Sequence, residues 1–170
     1  MPRALITGGN SKFGKDFVSE LNSRGYLVTV IDRNDLLNKD LDKYRGAYEL
    51  VFFNHHYMPA DFDYTSFDMS CLVCLDILDI VFEPDKVGWM VSSGIGAKNV
   101  PEFAPYFAYK SVNVHIMRYL AWRSHGTYFG VDPGHLIKDH WKMPAKQVAD
   151  LLDKVENGKV YNLSGSVSGL

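Results

Sequence analysis

The chain has 170 residues, of which 46% are hydrophobic and 22% charged, and its formal net charge is −2. This length is enough for one domain with a hydrophobic core and too short for two, so we expect a single domain over residues 1–170. The near-zero charge, with Lys and Arg scattered along the chain, argues against nucleic acid or an acidic membrane surface as a partner.

The apolar segments do not indicate a targeting or membrane sequence. Residues 1–4 lead directly into a short apolar segment and a glycine turn, which predicts no signal peptide. The longest apolar stretch, 71–82, is interrupted by Asp76 and Asp79, so we do not expect it to span a bilayer.

Two cysteines, Cys71 and Cys74, form a C-x-x-C pair. Zinc would need further ligands at matching spacing, and we interpret the pair as two small apolar helix residues rather than a metal site. We expect no metal, and a cytoplasmic protein with reduced thiols.

Strand and helix patterns alternate along almost the whole chain. The helices are expected over residues 13–24, 66–82 (with Ser66 as N-cap), 106–123 and 145–156. Apolar, β-branched segments predict strands over residues 4–7, 27–32, 49–54, 87–92, 127–131 and 160–163, with a further very short one within 36–40. This order predicts an α/β fold, a single-domain, Rossmann-like, doubly wound parallel sheet with helices on both faces.

A glycine-rich turn between the first strand and the first helix predicts a dinucleotide site. Unpaired N–H groups and the positive end of the helix dipole favour a pyrophosphate there, and glycines let the backbone approach it closely. The alternative interpretation is an ordinary tight turn. The turn consists of Thr7, Gly8, Gly9, Asn10, Ser11, Lys12, Phe13 and Gly14.

The end of the second strand bears on which dinucleotide is bound. Asp32 lies 18 residues after Gly14, where a carboxylate can bind the ribose 2′-hydroxyl and would repel a 2′-phosphate. Arg33 and Lys12 could offset that repulsion. We expect NAD(H) or NADP(H) as cofactor, with NAD(H) favoured.

A second signal combines Ser93 with Tyr106 and Lys110, thirteen and seventeen residues further on. Tyr106 and Lys110 share one face of a predicted helix, so the ammonium could lower the pKa of the phenol, which is ordinarily about 10. Such a phenol could exchange a proton with a substrate oxygen during hydride transfer, and Ser93 could hydrogen-bond that oxygen. The alternative is a surface Tyr and Lys on an amphipathic helix.

These features together resemble the short-chain dehydrogenases/reductases over nearly the whole chain. The glycine turn resembles the family's T-G-x-x-x-G-x-G, and Asn54 resembles the second Asn of its N-N-A-G. Ser93, Tyr106 and Lys110 match its Ser and Tyr-x-x-x-Lys, and residues 131–134 resemble its Pro-Gly turn.

The resemblance implies roles for these residues. Tyr106 would be the acid/base, Lys110 would also bind the nicotinamide ribose, and Ser93 would orient the oxygen of a small carbonyl or alcohol substrate. Further cofactor contacts would come from Asp40, Leu41, Asn54, Pro133 and Gly134. The resemblance also implies a homo-oligomer, a dimer or tetramer paired through the apolar helices 66–82 and 106–123.

The chain departs from the family pattern in several places. Lys12 replaces the middle glycine of the turn, and His55 and His56 replace the Ala-Gly after Asn54. Adjacent residues of an extended segment point in opposite directions, so we expect a structural or exposed role for both histidines rather than a shared metal. The helix Asn of the family's proton relay has Ser70 as its nearest candidate. The chain is also shorter than usual members.

We therefore expect an alcohol–carbonyl oxidoreductase and keep two alternatives. One is a non-catalytic dinucleotide-binding protein for sensing or association, favoured by Lys12 and by shortening after Gly134, where the family has its substrate lid. The other is an epimerase or dehydratase of the extended branch, which has a glycine at the position of Ser11. A sugar-nucleotide domain of that branch would have no room here.

Overall fold

The computed structural model describes residues 1–55, 57, 63–91, 104–133 and 142–163. The helices are α1 (Lys12–Ser23), α2 (Arg33–Leu37), α3 (Tyr64–Phe67), α4 (Val73–Ile80), α5 (Ala104–Arg123) and α6 (Lys142–Leu151). The strands are β1 (Arg3–Ile6), β2 (Leu27–Val30), β3 (Gly46–Ala47), β4 (Leu50–Phe53), β5 (Val81–Phe82), β6 (Lys86–Met90), β7 (Thr127–Asp132) and β8 (Val160–Asn162).

The main sheet is parallel and has the strand order β2-β1-β4-β6-β7-β8. Strand β1 pairs with β2 on one side and with β4 on the other, so the strand order reverses between β1 and β4. A crevice forms at the carboxyl ends of strands at such a point, and open α/β sheets bind their ligands there.

Helices cover both faces of this sheet. Phe17 of α1 packs with Phe52 and Phe129 on one face, where α6 also lies. Ile77 of α4 and Met117 of α5 cover the other face. In the central strands β1 and β4, alternate residues point to opposite faces and are apolar on both, as expected for strands buried on each side. The predicted doubly wound parallel sheet is confirmed.

The short strand predicted within residues 36–40 is wrong, because a helix forms there. Asp32 caps α2 by accepting a hydrogen bond from the backbone N–H of Asn34 at 2.8 Å. After this helix the chain turns at Lys39, which has a φ of 54°. The short extra strand is instead β3, which pairs with β5 in a separate two-stranded sheet.

The helix predicted over 66–82 begins earlier and ends earlier. Its N-cap is Asp63, whose carboxylate accepts from the backbone N–H of Ser66 at 2.8 Å, and not Ser66 itself. The helical path includes a π-helical segment, Asp68–Leu72, between α3 and α4. It stops at Ile80 because the next two residues pair as β5.

The outer surface of α5 carries two exposed aromatic side chains, Tyr119 (51% exposed) and Trp122 (81%). The homo-oligomer expected through 66–82 and 106–123, like the cytoplasmic location, stays a prediction. No helix within the described ranges has both the length and the apolar character needed to cross a membrane.

Candidate cofactor and active site

The glycine turn packs directly against the end of β4. Gly8 has a φ of 65°, and a β-carbon there would lie 2.4 Å from the carbonyl oxygen of Asn54. A β-carbon at Gly14 would lie 2.1 Å from the carbonyl oxygen of Gly8. Glycine is therefore required at both positions by the close approach of backbone to backbone, and at Gly8 also by its conformation.

Ser11 and Asn54 hold this turn at the start of α1. Ser11 Oγ accepts from the N–H of Gly14 at 3.0 Å and donates to the carbonyl of Gly8 at 2.9 Å. Asn54 Nδ2 donates to the same carbonyl and to Ser11 Oγ, each at 3.1 Å. These bonds place the first turn of α1 at the carboxyl edge of the sheet, as an anion site requires.

A cleft of about 310 Å³ opens at this edge. Backbone of the glycine turn forms one wall and apolar side chains after β2 form another, an arrangement that fits the pyrophosphate and the adenosine of a dinucleotide. The described lining residues are Gly8, Gly9, Asn10, Ser11, Ile31, Arg33, Leu36, Leu37, Asn54, His55, Tyr57 and Met69.

Asp32 and Arg33, the two residues predicted to select the dinucleotide, have different environments. Arg33 lines the cleft. Both residues are exposed, but Asp32 is absent from the described lining and uses a carboxylate oxygen to cap α2. Of these two residues, only Arg33 is among those described as lining the cleft.

Other predicted cofactor residues are also absent from the described lining, among them Lys12, Phe13, Asp40 and Leu41. Lys12 is exposed at the start of α1, and Phe13 is buried against Phe17 with ring centroids 5.4 Å apart. Asp40 forms an ion pair with Lys43 at 3.0 Å. Leu41 packs in the core beneath the α4 and α5 face.

Tyr106 and Lys110 come together on one face of α5. Lys110 is 6% exposed, and its Nζ donates to the carbonyl of Met90, the last residue of β6, at 3.0 Å. The same Nζ lies 5.3 Å from the centroid of the Tyr106 ring. Pro133 follows β7, while Ser93 and Gly134 lie outside the described residues.

The electrostatics of this pair differ from the expectation. Burial raises the pKa of Tyr106 to about 12. Burial also lowers the pKa of Lys110 to about 8, a shift that the nearby Cys74 and Cys71 oppose. The ammonium stands over the ring face and donates to a backbone carbonyl, so it does not offset the cost of burying a phenolate.

His55 has a more specific place than the sequence predicted. Its Nδ1 lies 2.8 Å from Thr7 Oγ1, and the residue lines both the cleft and a small cavity that Tyr106 and Lys110 also line. Burial, assisted by the charge of Lys110, lowers the pKa of His55 to about 3. The neighbouring His56 lies outside the described residues.

Asn113 is a site residue that the sequence reasoning missed. It lies one helical turn after Lys110, and its Nδ2 donates to the backbone carbonyl of Ser70 at 3.1 Å. Its i, i+3 spacing from Lys110 could have identified it from the sequence, because residues at this spacing share a helix face. In the part of the chain covered by the description, no group of three or more His, Cys, Asp or Glu could hold a metal ion.

Comparisons with known proteins bear on the fold. No protein-family model and no curated protein matches the chain. A short-chain dehydrogenase/reductase from Serratia marcescens is similar in structure, with 17% identity and a TM-score of 0.75 over 99% of this chain and 98% of that one.

Two further solved structures are similar in the same way. One is an oxidoreductase (short chain dehydrogenase/reductase) from Brucella ovis, with 14% identity and a TM-score of 0.75 over 96% of this chain and 100% of that one. The other is BdcA in complex with NADPH, with 16% identity and a TM-score of 0.73 over 99% and 95%. Together with the sheet order and the glycine turn, these likenesses show that the chain has the short-chain dehydrogenase/reductase fold.

Proposed function

We propose that this protein is an NADP(H)-dependent oxidoreductase that interconverts an alcohol and a ketone or aldehyde, with Tyr106 as the acid/base. The observation that carries the proposal is the placement of Tyr106 and Lys110 on one face of α5, next to the dinucleotide-sized cleft. His55 and Tyr57 line both this cleft and the cavity beside the pair, so the two spaces are contiguous neighbours.

A bound nicotinamide supplies or accepts the hydride. In the reducing direction the carbonyl oxygen of the substrate becomes an alkoxide, and the Tyr106 hydroxyl donates the proton that it needs. A pKa of about 12 keeps this hydroxyl protonated at neutral pH. Burial therefore keeps Tyr106 in the protonated form that donates in carbonyl reduction.

Lys110 and Ser93 complete the proposed site. Lys110 would bind the nicotinamide ribose, and its Nζ lies 5.3 Å from the centroid of the Tyr106 ring. Ser93, which lies outside the described residues, would hydrogen-bond the substrate oxygen. This assignment matches the roles that the family resemblance implies.

The choice of NADP(H) rests on Arg33. Arg33 lines the cleft, and its guanidinium would pair with a 2′-phosphate there, while one carboxylate oxygen of Asp32 is engaged in capping α2. This reverses the preference for NAD(H) that the sequence alone favoured. One of the similar structures is a complex with NADPH, which is in line with the proposal.

Calorimetric titration of the purified protein with NADPH and, separately, NADH tests the cofactor. We expect tighter binding of NADPH, and Arg33→Ala should weaken it by about tenfold or more while changing NADH binding little. Arg45→Ala is the matched control, because Arg45 pairs with Asp42 on the surface away from the described cleft lining. Tighter binding of NADH would contradict the cofactor assignment.

A screen of ketones and aldehydes then tests the activity, with the decrease in NADPH absorbance as the readout. The second candidate function is a non-catalytic dinucleotide-binding protein, and the raised pKa of Tyr106 is the observation that favours it. Tight cofactor binding without turnover of any carbonyl or alcohol would support this candidate over the enzyme.

A further inference from the structure

Lys39 occupies a backbone position at which glycine is usually found. Its N–H donates to the carbonyl of Leu36 at 3.3 Å, and the next N–H donates to the carbonyl of Asp35 at 2.9 Å. This pair of bonds closes a helix whose chain leaves through the left-handed region, where Lys39 has its φ of 54°. A β-carbon is disfavoured in that conformation, so we expect the lysine side chain to make a compensating contact.

The compensating contact is an ion pair with two carboxylates. Lys39 Nζ donates to Asp68 Oδ1 at 2.5 Å and to Asp76 Oδ2 at 2.8 Å. Asp68 is the first residue of the π-helical segment and Asp76 lies in α4, so one ammonium joins the end of α2 to both. The side chain of Asp68 is only 18% exposed, which reduces the screening of this pair by water and salt.

Two of the elements that Lys39 joins line the dinucleotide cleft. Arg33, Leu36 and Leu37 of α2 line it, and so does Met69 of the π-helical segment. Lys39 itself is absent from the described lining, so its effect on a ligand is exerted through the residues that it holds. The ion pairs therefore fix the position of one part of the cleft wall relative to another.

Helix α2 depends on such contacts because it has only five residues, too few to be stable by themselves in water. Its first turn is held by the cap from Asp32 and by the Tyr44 hydroxyl, which accepts from the N–H of Asp32 at 3.1 Å. Lys39 holds the other end. A wall that is correctly placed for only a fraction of the time weakens ligand binding by that fraction.

We propose that Lys39 is a positioning residue for the dinucleotide, because its ion pairs with Asp68 and Asp76 hold α2 in place relative to the π-helical segment. Since α2 moves as a unit, this hold affects every ligand that contacts its apolar side chains, with or without a 2′-phosphate. Arg33, by contrast, would act on the 2′-phosphate alone. The effect on the cofactor rests on the proposed function, whereas the hold on α2 does not.

Substitution of Lys39 by glycine removes the ammonium and supplies the residue that the backbone favours there. Calorimetric titration with NADPH, NADH and ADP is the measurement, and ADP is included because it needs no nicotinamide site. We expect Lys39→Gly to bind all three about fivefold more weakly at low salt, because α2 loses both ion pairs. Lys39→Arg keeps the charge and should bind them within about twofold of wild type.

The stability of Lys39→Gly separates a positioning role from a purely structural one. Relief of the left-handed conformation opposes the loss of the ion pairs, so the midpoint of urea unfolding should stay close to wild type. Weaker binding at unchanged stability is then an effect of the position of α2. Wild-type affinity of Lys39→Gly for all three nucleotides would overturn the proposal.

Arg24→Met is the matched control. Arg24 also pairs with two carboxylates, Glu20 at 3.4 Å and Asp150 at 2.6 Å, and it joins α1 to α6. None of these three residues belongs to the described cleft lining. Arg24→Met should lower the unfolding midpoint and leave the three affinities unchanged, and a fivefold loss of affinity here as well would contradict a specific role for Lys39.

The salt dependence of binding tests whether the ion pairs carry the effect. The ratio of the dissociation constants of Lys39→Gly and wild type is the quantity to compare, because both proteins share the salt dependence of phosphate binding. This ratio should fall from about five at low salt to about two or less at about 1 M salt. A ratio that does not change would show that the lost charge is not responsible, and the proposal would fail.

Hydrogen exchange without any ligand measures the hold on α2 directly. The N–H of Leu36, which donates to the carbonyl of Asp32 at 3.0 Å, should exchange about fivefold faster in Lys39→Gly, and Lys39→Arg should restore the wild-type rate. Unchanged exchange would overturn the hold. Faster exchange in a protein that binds none of the three nucleotides would instead overturn the proposed function, and with it the cofactor role of Lys39.

Discussion

The hydroxyl of Thr7 lies 2.8 Å from Nδ1 of His55 and joins the carboxyl end of β1 to that of β4. The same oxygen also accepts two backbone N–H groups, from Asn54 and His55. One side chain thus holds together the two strands between which the cleft opens.

Replacing this hydroxyl should be costly. Thr7→Val keeps the shape of the side chain but leaves two backbone N–H groups unpaired, so we expect a loss of about 2–4 kcal/mol in the free energy of unfolding. Thr7→Ser retains the oxygen and should lose far less. Urea denaturation measures both, and equal losses would mean that packing of the methyl group, not the hydroxyl, stabilises the junction.

Alanine substitutions at two glycines separate the cost of a positive φ from the cost of a clash between the turn and the backbone at the end of β4. Gly8 and Gly25 have φ values of 65° and 90°, so alanine is strained at either position. At Gly25 a β-carbon meets nothing within 4 Å, and Gly25→Ala should cost about 1–2 kcal/mol. Gly8→Ala adds a clash with the Asn54 carbonyl and should cost several kcal/mol more or prevent folding. Similar unfolding midpoints would contradict this packing.

The proposed acid/base is tested by removing one oxygen. Tyr106→Phe should abolish turnover while leaving cofactor affinity nearly unchanged, because the phenol acts only on the substrate oxygen in our mechanism. Tyr119→Phe is the matched control, since Tyr119 lies on the exposed outer surface of α5. Steady-state kinetics and calorimetry on both variants suffice, and wild-type turnover by Tyr106→Phe would refute the assignment.

Lys110 should make stability depend on pH. Its pKa is about 8 in the folded protein against an ordinary 10.5, so between these values the unfolded chain binds more protons and stability rises with pH. Below pH 8 the full cost, about 3 kcal/mol, is present. Lys110→Met removes this dependence.

The stability of Lys110→Met relative to wild type should therefore shrink as the pH rises through this window. The difference between the two proteins is the quantity to measure, because Cys71 and Cys74 change absolute stability in the opposite direction above about pH 9. A constant difference from pH 7 to about 10 would mean that the amine is not buried as described.

Substitution of Lys12 tests whether its side chain attracts the phosphates of the dinucleotide or obstructs their binding at the turn. The side chain is exposed at the start of α1. We therefore expect Lys12→Ala to weaken binding of both dinucleotides by roughly fivefold at low salt, through loss of positive charge near the phosphates. Lys15→Ala is the control, because Lys15 is also an exposed lysine of α1 but lies three residues further along the helix. Tighter binding by Lys12→Ala would mean that the lysine obstructs the site.

Several features of the fold and site could be predicted from local patterns. Apolar periodicity located the strands of the main sheet, and the glycine turn lies between β1 and α1 as expected. Tyr106 and Lys110 share a face because a helix brings i and i+4 together whatever surrounds it. The sequence by itself therefore determined the layered architecture and the pairing of the phenol with the amine.

Only the tertiary structure decided what these groups experience. Thr7 and His55 are 48 residues apart, and Asn113 and Ser70 are 43 apart, so no local pattern reveals their hydrogen bonds. Burial among distant residues moves the pKa of Tyr106 upward, opposite to the expectation. Capping by Asp32 likewise replaced a predicted strand with α2. Sequence periodicity shows which residues face an apolar core. The desolvation of a titratable side chain and the identity of its hydrogen-bond partners depend instead on how helices and strands pack together.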